Sequence, residues 1–325
     1  MRRFVLACLT ASLAAAAPSL AQNAWDETSP SLKMIDYRPE GWLFEDELFA
    51  VLDAGEALFE AKFTILDGAG RPNATQAPLP NRPRSLLTNG FSRTSGPDAS
   101  ACSSCHNDPV TGGAGDFTTN VFTSSGFANA VFDSTDPELS NERGTNHLFG
   151  AGLLELLARE MTQDLHAIRD KALVEANAKS RPLEYKLETK GVSFGSLVAL
   201  PGGLIDPSGI EGVDHDLVVK PFTQKGTIRS LRQFTVNALN HHSGMQADER
   251  FSVRWTGTDD FDEDGYPGEI TDGQVSALVA WQATLAPPTR RDDLPEDWQA
   301  AATTGEALFK SFGCQSCHMT ALPLN

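Results

Sequence analysis

The chain has 325 residues, of which 26 are Lys or Arg and 43 are Asp or Glu, so its formal net charge at pH 7 is −17. This balance disfavours nucleic acid as a partner, because phosphate backbones are held by clustered basic side chains. No segment after the N-terminus reaches the ~18 uninterrupted apolar residues of a membrane span, so none is expected.

The N-terminal residues 1–21 have the composition of an export signal. Arg2 and Arg3 precede an apolar run over residues 4–17, and small residues at positions 19 and 21 suit cleavage after Ala21. We therefore expect a periplasmic protein that begins at residue 22 after processing.

The pentapeptide Gly-Glu-Ala-Leu-Phe occurs twice, at residues 55–59 and 305–309. Its apolar residues predict a helix with one buried face, and a Cys-x-x-Cys-His motif follows each copy. Residues 67–85, between the first copy and its motif, are rich in Gly, Pro and Asn and predict an inserted loop. The repeat indicates that two similar units begin at these pentapeptides.

The two Cys-x-x-Cys-His motifs, at residues 102–106 and 314–318, contain every cysteine that remains after removal of the signal. This spacing attaches haem c through two cysteines, and the adjacent histidine binds the iron. Two disulfides, or one zinc site of four cysteines, are the alternatives, but neither accounts for a histidine after each pair. We predict two covalent haems. The haem-binding residues would be Cys102, Cys105, His106, Cys314, Cys317 and His318.

The longest predicted helix covers residues 147–179. Apolar residues from Leu154 to Ala172 step by three or four and form one stripe, and Thr145 or Asn146 can cap the helix. Residues 185–222 are short apolar pieces broken by Gly and Pro, which predict irregular structure with a few short strands.

Two further helices are predicted over residues 227–242 and 273–286, the second ending at Pro287-Pro288. The predicted fold class is therefore mainly α, with long loops.

The stretch 240–250 contains candidates for a sixth iron ligand. His242 extends the apolar face of its predicted helix, and Met245 follows three residues later. Histidine and methionine are both usual ligands of haem c, although a core histidine with a packing methionine would give the same pattern. His147 is a third candidate, because the start of a helix favours an uncharged imidazole; simple capping is the alternative.

Glu155 interrupts the apolar run at residues 153–158. A carboxylic acid held against apolar walls beside a haem has a raised pKa and can exchange protons during peroxide cleavage. The alternative is a residue that faces water.

A calcium loop is partly matched by Asp260, Asp262 and Asp264, which occupy its positions 1, 3 and 5. Thr271 stands where such a loop has a bidentate glutamate, so the match is incomplete.

As a whole, the pattern over residues 45–325 resembles the di-haem oxidoreductase family, which is related to bacterial di-haem cytochrome c peroxidases. The segments that carry the resemblance are ACSSCHNDPVTGGAGD, RGTNHLFGAGLLELLAREM, GVDHDLVVKPFTQKGTIRSLRQF, NHHSGMQADER, DFDEDGYPGEIT and GEALFKSFGCQSCH.

The resemblance implies two cytochrome c-like domains, at residues 22–250 and 251–325, in a peroxidase-like periplasmic enzyme. The N-terminal haem would react with hydrogen peroxide, and the other would receive electrons from a small donor protein. Glu155 and His242 would be its catalytic residues. An electron-transfer cytochrome without peroxidase activity and a haem protein of iron handling remain alternatives.

Members of this family continue beyond the second motif, whereas this chain stops seven residues after His318. Met319 is too close to His318 to reach the opposite face of the same iron. We therefore expect the second domain to be incomplete and the chain to be a truncated product.

Overall fold

Helices predominate in the structure, a computed structural model, and strands form two small sheets, so the predicted mainly α class is confirmed. The predicted export signal, and nearly all of the predicted inserted loop, lie outside the described residues. The structure describes residues 45–69, 101–120, 142–223, 225–261 and 265–325.

The elements follow in chain order. The helices and strands are α1 (Glu45–Glu60), β1 (Gly115–Asn120), β2 (Glu142–Thr145), α2 (Ala151–Lys179), β3 (Leu183–Thr189), β4 (Val192–Leu200), β5 (Leu204–Asp206), α3 (Leu231–Ala238), α4 (Asp248–Phe251), α5 (Val253–Thr256), α6 (Asp272–Thr284) and α7 (Glu296–Ser311). A π-helical turn, Leu239–Ser243, continues α3, and short 3-10 turns cover Ile65–Asp67, Cys102–Ser104 and Cys314–Ser316.

The first hydrophobic core lies between α1 and α6. Leu58 and Phe59 of α1 are buried there, and the ring of Phe59 packs on Trp281 with centroids 4.7 Å apart. The start of α6 is fixed by a capping box, in which the side chains of Thr271 and Gln274 accept each other's backbone N–H groups. This core supports the first Cys-x-x-Cys-His motif, because Cys102 packs against it.

The second core lies between α2 and an antiparallel sheet of order β3-β4-β5. Met161 and Leu165 of α2 face Leu197 and other buried residues of the sheet. The β3–β4 hairpin turns at Lys190 and Gly191, whose φ values of 50° and 80° suit a tight two-residue turn.

α3 is attached to both neighbouring helices. Its N-cap is Ser230, whose hydroxyl accepts from the backbone N–H of Gln233 at 3.2 Å. The buried amide of Gln282, on α6, donates to the hydroxyl of Thr235 at 3.0 Å. α3 therefore has a fixed place against α6, and the π-helical turn continues from it.

Several details differ from the sequence predictions. The helix predicted over 147–179 begins only at Ala151, because Gly150 before it has a φ of 77° that a helix cannot include. The predicted caps at Thr145 and Asn146 were therefore wrong, and Leu154, predicted to be buried, is half exposed.

The second predicted helix begins at Leu231 rather than at residue 227, while the third closely matches α6. The few short strands predicted within 185–222 are present as β3, β4 and β5, but they form one regular sheet that begins at Leu183. Both pentapeptides are helical, as predicted. The predicted buried face is present in the first copy, where Leu58 and Phe59 are buried, but it is wrong for the second, because α7 buries none of its residues.

None of the described helices is both long and apolar enough to cross a membrane.

The two equivalent glycines of the pentapeptides provide a test of this packing. A Cβ at Gly55 would lie 2.2 Å from the carbonyl oxygen of Ala277, whereas a Cβ at Gly305 would meet nothing within 4 Å. Gly55→Ala should lower the free energy of unfolding by about 1–3 kcal/mol, because α1 and α6 must move apart. Gly305→Ala should leave it unchanged or raise it by up to about 1 kcal/mol, because alanine favours helix.

Urea unfolding of both variants beside the wild-type chain measures the difference. Equal effects of the two substitutions would contradict the close packing of α6 on Gly55.

Candidate functional site

The first Cys-x-x-Cys-His motif forms a single tight turn. The carbonyl oxygen of Cys102 accepts from the backbone N–H groups of both Cys105 and His106, at 3.2 and 3.0 Å. These two bonds hold the two cysteines and the histidine on one turn of chain, which is the arrangement that haem attachment requires.

The chain after the motif folds back beneath it. Nδ1 of His106 lies 3.2 Å from the carbonyl oxygen of Gly113. Because a carbonyl only accepts, Nδ1 carries the proton of this hydrogen bond, which fixes the orientation of the ring. Gly115 passes so close to the motif that a Cβ there would lie 1.9 Å from the carbonyl oxygen of Cys105.

Burial makes the three side chains of this motif uncharged. Burial, together with the nearby Cys105, raises the pKa of Cys102 to about 12, and burial also raises the pKa of Cys105. The pKa of His106 is lowered by burial, against the opposing effects of its hydrogen bonds to the backbone of Gly113 and of Asn146. At neutral pH the pair consists of thiols, not of the reactive thiolates found in thiol-disulfide enzymes.

The second motif repeats the same turn. The backbone N–H groups of Cys317 and His318 donate to the carbonyl oxygen of Cys314, at 3.2 and 2.9 Å. The backbone angles agree closely, with φ −107° and ψ −34° at Cys105 and φ −111° and ψ −33° at Cys317.

Each motif histidine also contacts the phenylalanine of its pentapeptide. The ring centroids of Phe59 and His106 are 6.1 Å apart with an interplanar angle of 54°. The corresponding values for Phe309 and His318 are 6.2 Å and 60°. The sequence repeat is therefore a structural repeat, in which a helix presents one aromatic ring to the histidine of its own motif.

The two units differ in their surroundings. Cys102 and His106 are partly buried beside the first core, whereas Cys317 and His318 are exposed and α7 buries none of its residues. The second motif therefore has the local turn without an enclosing core among the described residues.

Neither alternative for the cysteines forms in this structure. The four cysteines are unpaired, so there are no disulfides among the described residues. Nor do the two pairs come together, since no cluster of three or more His, Cys, Asp or Glu side chains suited to a metal occurs in the part of the chain that is described.

His242 lies in the π-helical turn that continues α3. Burial lowers its pKa to about 4, and the charges of His241 and then of His106 lower it further, so His242 lies within electrostatic range of His106. The turn is closed by Gly244, with φ 71°, and by the Met245 N–H, which donates to the carbonyl oxygen of Leu239 at 2.9 Å. Of the three candidate ligands, His242 is the one that this electrostatic contact brings to His106.

The other two candidate ligands are placed differently. Met245 is fully buried in the first core, where it packs with the residues that surround Phe59. His147 is exposed and stacks on Phe149, with ring centroids 5.5 Å apart; it precedes α2 instead of starting it.

Sequence reasoning missed other polar residues around His242. His241 is partly buried, and burial followed by the charge of Arg250 lowers its pKa to about 4. Asn240 and Gln246 are buried and carry side-chain amide atoms without a hydrogen-bond partner among the described residues. Such atoms cost about 1–3 kcal/mol each, so this segment lacks contacts that a bound group could supply. The adjacent pair His241-His242 was the available signal.

Glu155 has two specific partners. One carboxylate oxygen accepts from the guanidinium of Arg159 at 2.6 Å, and the other accepts from the backbone N–H of Leu231 at 2.7 Å. Its side chain is only 14% exposed. The carboxylate therefore links α2 to the first residue of α3.

The predicted calcium loop lies partly outside the described residues, because Asp262 and Asp264 are not described. One carboxylate oxygen of Asp260 accepts from the backbone N–H of Gly265 at 3.0 Å, as in a turn closed by an aspartate side chain. The calcium site stays a prediction.

Compared with models of protein families, with curated proteins and with solved structures, the chain gives no match. The resemblance to di-haem oxidoreductases therefore rests on the sequence motifs and stays a prediction.

The close approach at Gly115 gives a test of the motif's support. Gly115→Ala should lower the free energy of unfolding by about 1–3 kcal/mol, because its Cβ overlaps the carbonyl oxygen of Cys105 and the motif must shift. The matched control is Gly144→Ala on the paired strand β2, where a Cβ meets nothing within 4 Å. Denaturant titration that finds the two variants equally stable would refute this account of the loop.

Proposed function

We propose that this chain is an exported oxidoreductase that carries two covalent c-type haems and reduces hydrogen peroxide, or a similar small oxidant. Its electrons would come from a small periplasmic donor protein. The proposal includes cytochrome c-like domains at residues 22–250 and 251–325, each bearing one motif.

The repeated helix-and-motif arrangement is the observation that carries the proposal. Two segments far apart in sequence share the pentapeptide, the Cys-x-x-Cys-His turn and the contact between phenylalanine and histidine. Among the described residues, the motif cysteines form no disulfide and belong to no cluster of metal-ligating side chains. A histidine after each pair, with its aromatic neighbour, suits haem attachment.

The residues of the first unit fit a haem. Cys102 and Cys105 would form the two covalent bonds, and Nε2 of His106 would bind the iron while its Nδ1 stays fixed by Gly113. His242 lies within electrostatic range of His106 and would be the candidate for a second histidine ligand of the iron.

A bound haem supplies an iron that accepts and donates single electrons and can bind a peroxide. Reduction of hydrogen peroxide consumes two electrons and two protons and yields two waters. The residues of the two motifs would hold two such groups in one chain, which matches the two electrons that one peroxide consumes. The residues of the first unit would have to bind the haem and still leave the oxidant access to it.

A second candidate function is electron transfer without peroxide chemistry. The electrostatic interaction between His242 and His106 supports it, because a second histidine ligand would leave no open position on the iron for an oxidant. The two functions differ in whether His242 can leave the iron.

Peroxide turnover distinguishes these two functions. The chain loaded with two haems should oxidise a reduced small cytochrome at two molecules per hydrogen peroxide consumed. Replacing Cys314 and Cys317 by alanine should slow this oxidation at least ten-fold, because the second haem, which would receive electrons from the donor protein, can no longer be attached. Stopped-flow absorbance measures the rate and the stoichiometry.

The opposite outcome is equally informative. A fully loaded chain whose haems stay six-coordinate at every redox level, and which leaves peroxide unconsumed, would establish the electron-transfer function instead.

Replacement of His242 tests the assignment of the ligand. His242→Ala should change the visible absorption spectrum of the first haem and leave that of the second unchanged. Met245→Leu tests the alternative ligand, and His215→Ala is the matched control, because His215 is exposed in a loop. A first-haem spectrum that ignores His242→Ala but responds to Met245→Leu would show that methionine is the ligand.

A further inference from the structure

We propose that Glu155 is a positioning residue, which fixes the start of α3 and thereby the place of His242. This inference rests on the proposed function and replaces the acid/base role that the sequence predicts for Glu155. Its basis is the pair of contacts made by the Glu155 carboxylate and the continuity of the helix between Leu231 and His242.

The carboxylate of Glu155 is already committed to structural contacts. The N–H of Leu231 is the first of α3 and has no acceptor within the helix, so the carboxylate supplies the acceptor that the helix end needs. A negative charge is also favourable at the positive end of a helix dipole. Arg159 holds the second oxygen, and with 14% exposure the side chain has little freedom to turn elsewhere.

The Glu155 contact lies far along α3 from His242, the residue proposed to bind the first haem. α3 runs without interruption into the π-helical turn, and His242 lies eleven residues beyond Leu231. At ~1.5 Å per residue the histidine is roughly 16 Å along the axis from the N–H that Glu155 binds. A general acid or base must come within ~3 Å of its proton, or one water further away. Glu155 is too far from His242 for direct proton exchange there.

The same geometry makes Glu155 effective as an anchor. Its helix, α2, is 29 residues long and is fixed at its far end by the second core. At its near end, Gly152 approaches the carbonyl oxygen of Ala283 so closely that a Cβ would lie 2.2 Å from it. α2 is thus a rigid support, and its contact with Leu231 determines where α3 starts.

Further bonds along α3 transmit this position. The guanidinium of Arg232 donates to Glu249 at 2.7 Å and to the hydroxyl of Ser276, on α6, at 2.9 Å. With Thr235 bonded to Gln282, α3 is held at its start and along its length. These bonds hold α3 independently of Glu155, so the Glu155 contact fixes the start of the helix, and a change at Leu231 reaches the turn that carries His242 through the continuous helix.

The test compares two substitutions of Glu155. Glu155→Ala removes the acceptor for the Leu231 N–H, whereas Glu155→Gln keeps a side-chain oxygen that can accept it. We expect Glu155→Ala to speed amide hydrogen exchange over residues 231–243 at least ten-fold and to alter the absorption spectrum of the first haem. Glu155→Gln should keep most of the wild-type protection from hydrogen exchange and most of the wild-type spectrum of the first haem. Glu160→Gln is the matched control, since Glu160 lies on the same helix but pairs with Lys190.

Two outcomes would overturn the proposal. One is a Glu155→Gln chain with the wild-type spectrum and exchange but at least 100-fold slower peroxide turnover, which would make Glu155 an acid or base. The other is a Glu155→Ala chain whose spectrum and exchange match the wild type. Hydrogen exchange needs no haem, so a chain that fails to bind haem would defeat the proposed function while still testing the anchor.

Discussion

The contact between a helix phenylalanine and the histidine of the following motif is the interaction on which the rest of the structure depends. In the first unit, Phe59 lies between His106 and Trp281, so one ring joins the motif to the first core. This placement is available only because Gly55, one turn earlier, lets α6 approach the backbone of α1. Gly55 and Phe59 lie one turn apart on the same helical face. Gly55 therefore allows the close approach of α6, while Phe59 contacts the histidine of the motif.

The surroundings of the two motifs determine how differently they can behave. Around the first, burial lowers the pKa of His106 and His242 and raises that of Cys102, so the side chains that would meet a haem are uncharged. In the proposed function, these neutral side chains would hold the first haem without placing a charge beside it. The second motif is exposed beside α7, which buries none of its residues, and the proposed function has the donor protein deliver electrons there.

Much of this could be predicted from the sequence, because the relevant signals are local. The two motifs, both pentapeptide helices and the helix at residues 273–286 follow from spacing and periodicity, and all are present. The start of α2 was predicted too early because Thr145 is a typical N-cap residue. The helix begins only after Gly150, whose left-handed backbone ends the preceding loop. The sheet within 185–222 was underestimated because its pairing depends on contacts with α2 that no local pattern records.

The site was predicted less completely than the fold. His242 was selected because it continues an apolar stripe, and its role as a ligand stays a prediction. The role suggested for Glu155 assumed that a carboxylate within apolar residues faces the haem. Its actual partner, the N–H of Leu231, is 76 residues away in sequence and could not be deduced from spacing. Nor could spacing show that buried amide atoms of Asn240 and Gln246 lack hydrogen-bond partners among the described residues, because this depends on which residues surround them in the fold.

Counting haem groups on the unfolded chain tests the central claim most directly. The exported protein is denatured in acid, extracted with an organic solvent that removes unattached porphyrin, and assayed in alkaline pyridine for bound haem per chain. Our account predicts two haems that remain with the polypeptide, one on the peptide containing Cys102 and Cys105 and one on that containing Cys314 and Cys317. A chain that loses all its colour in the extraction would contradict it.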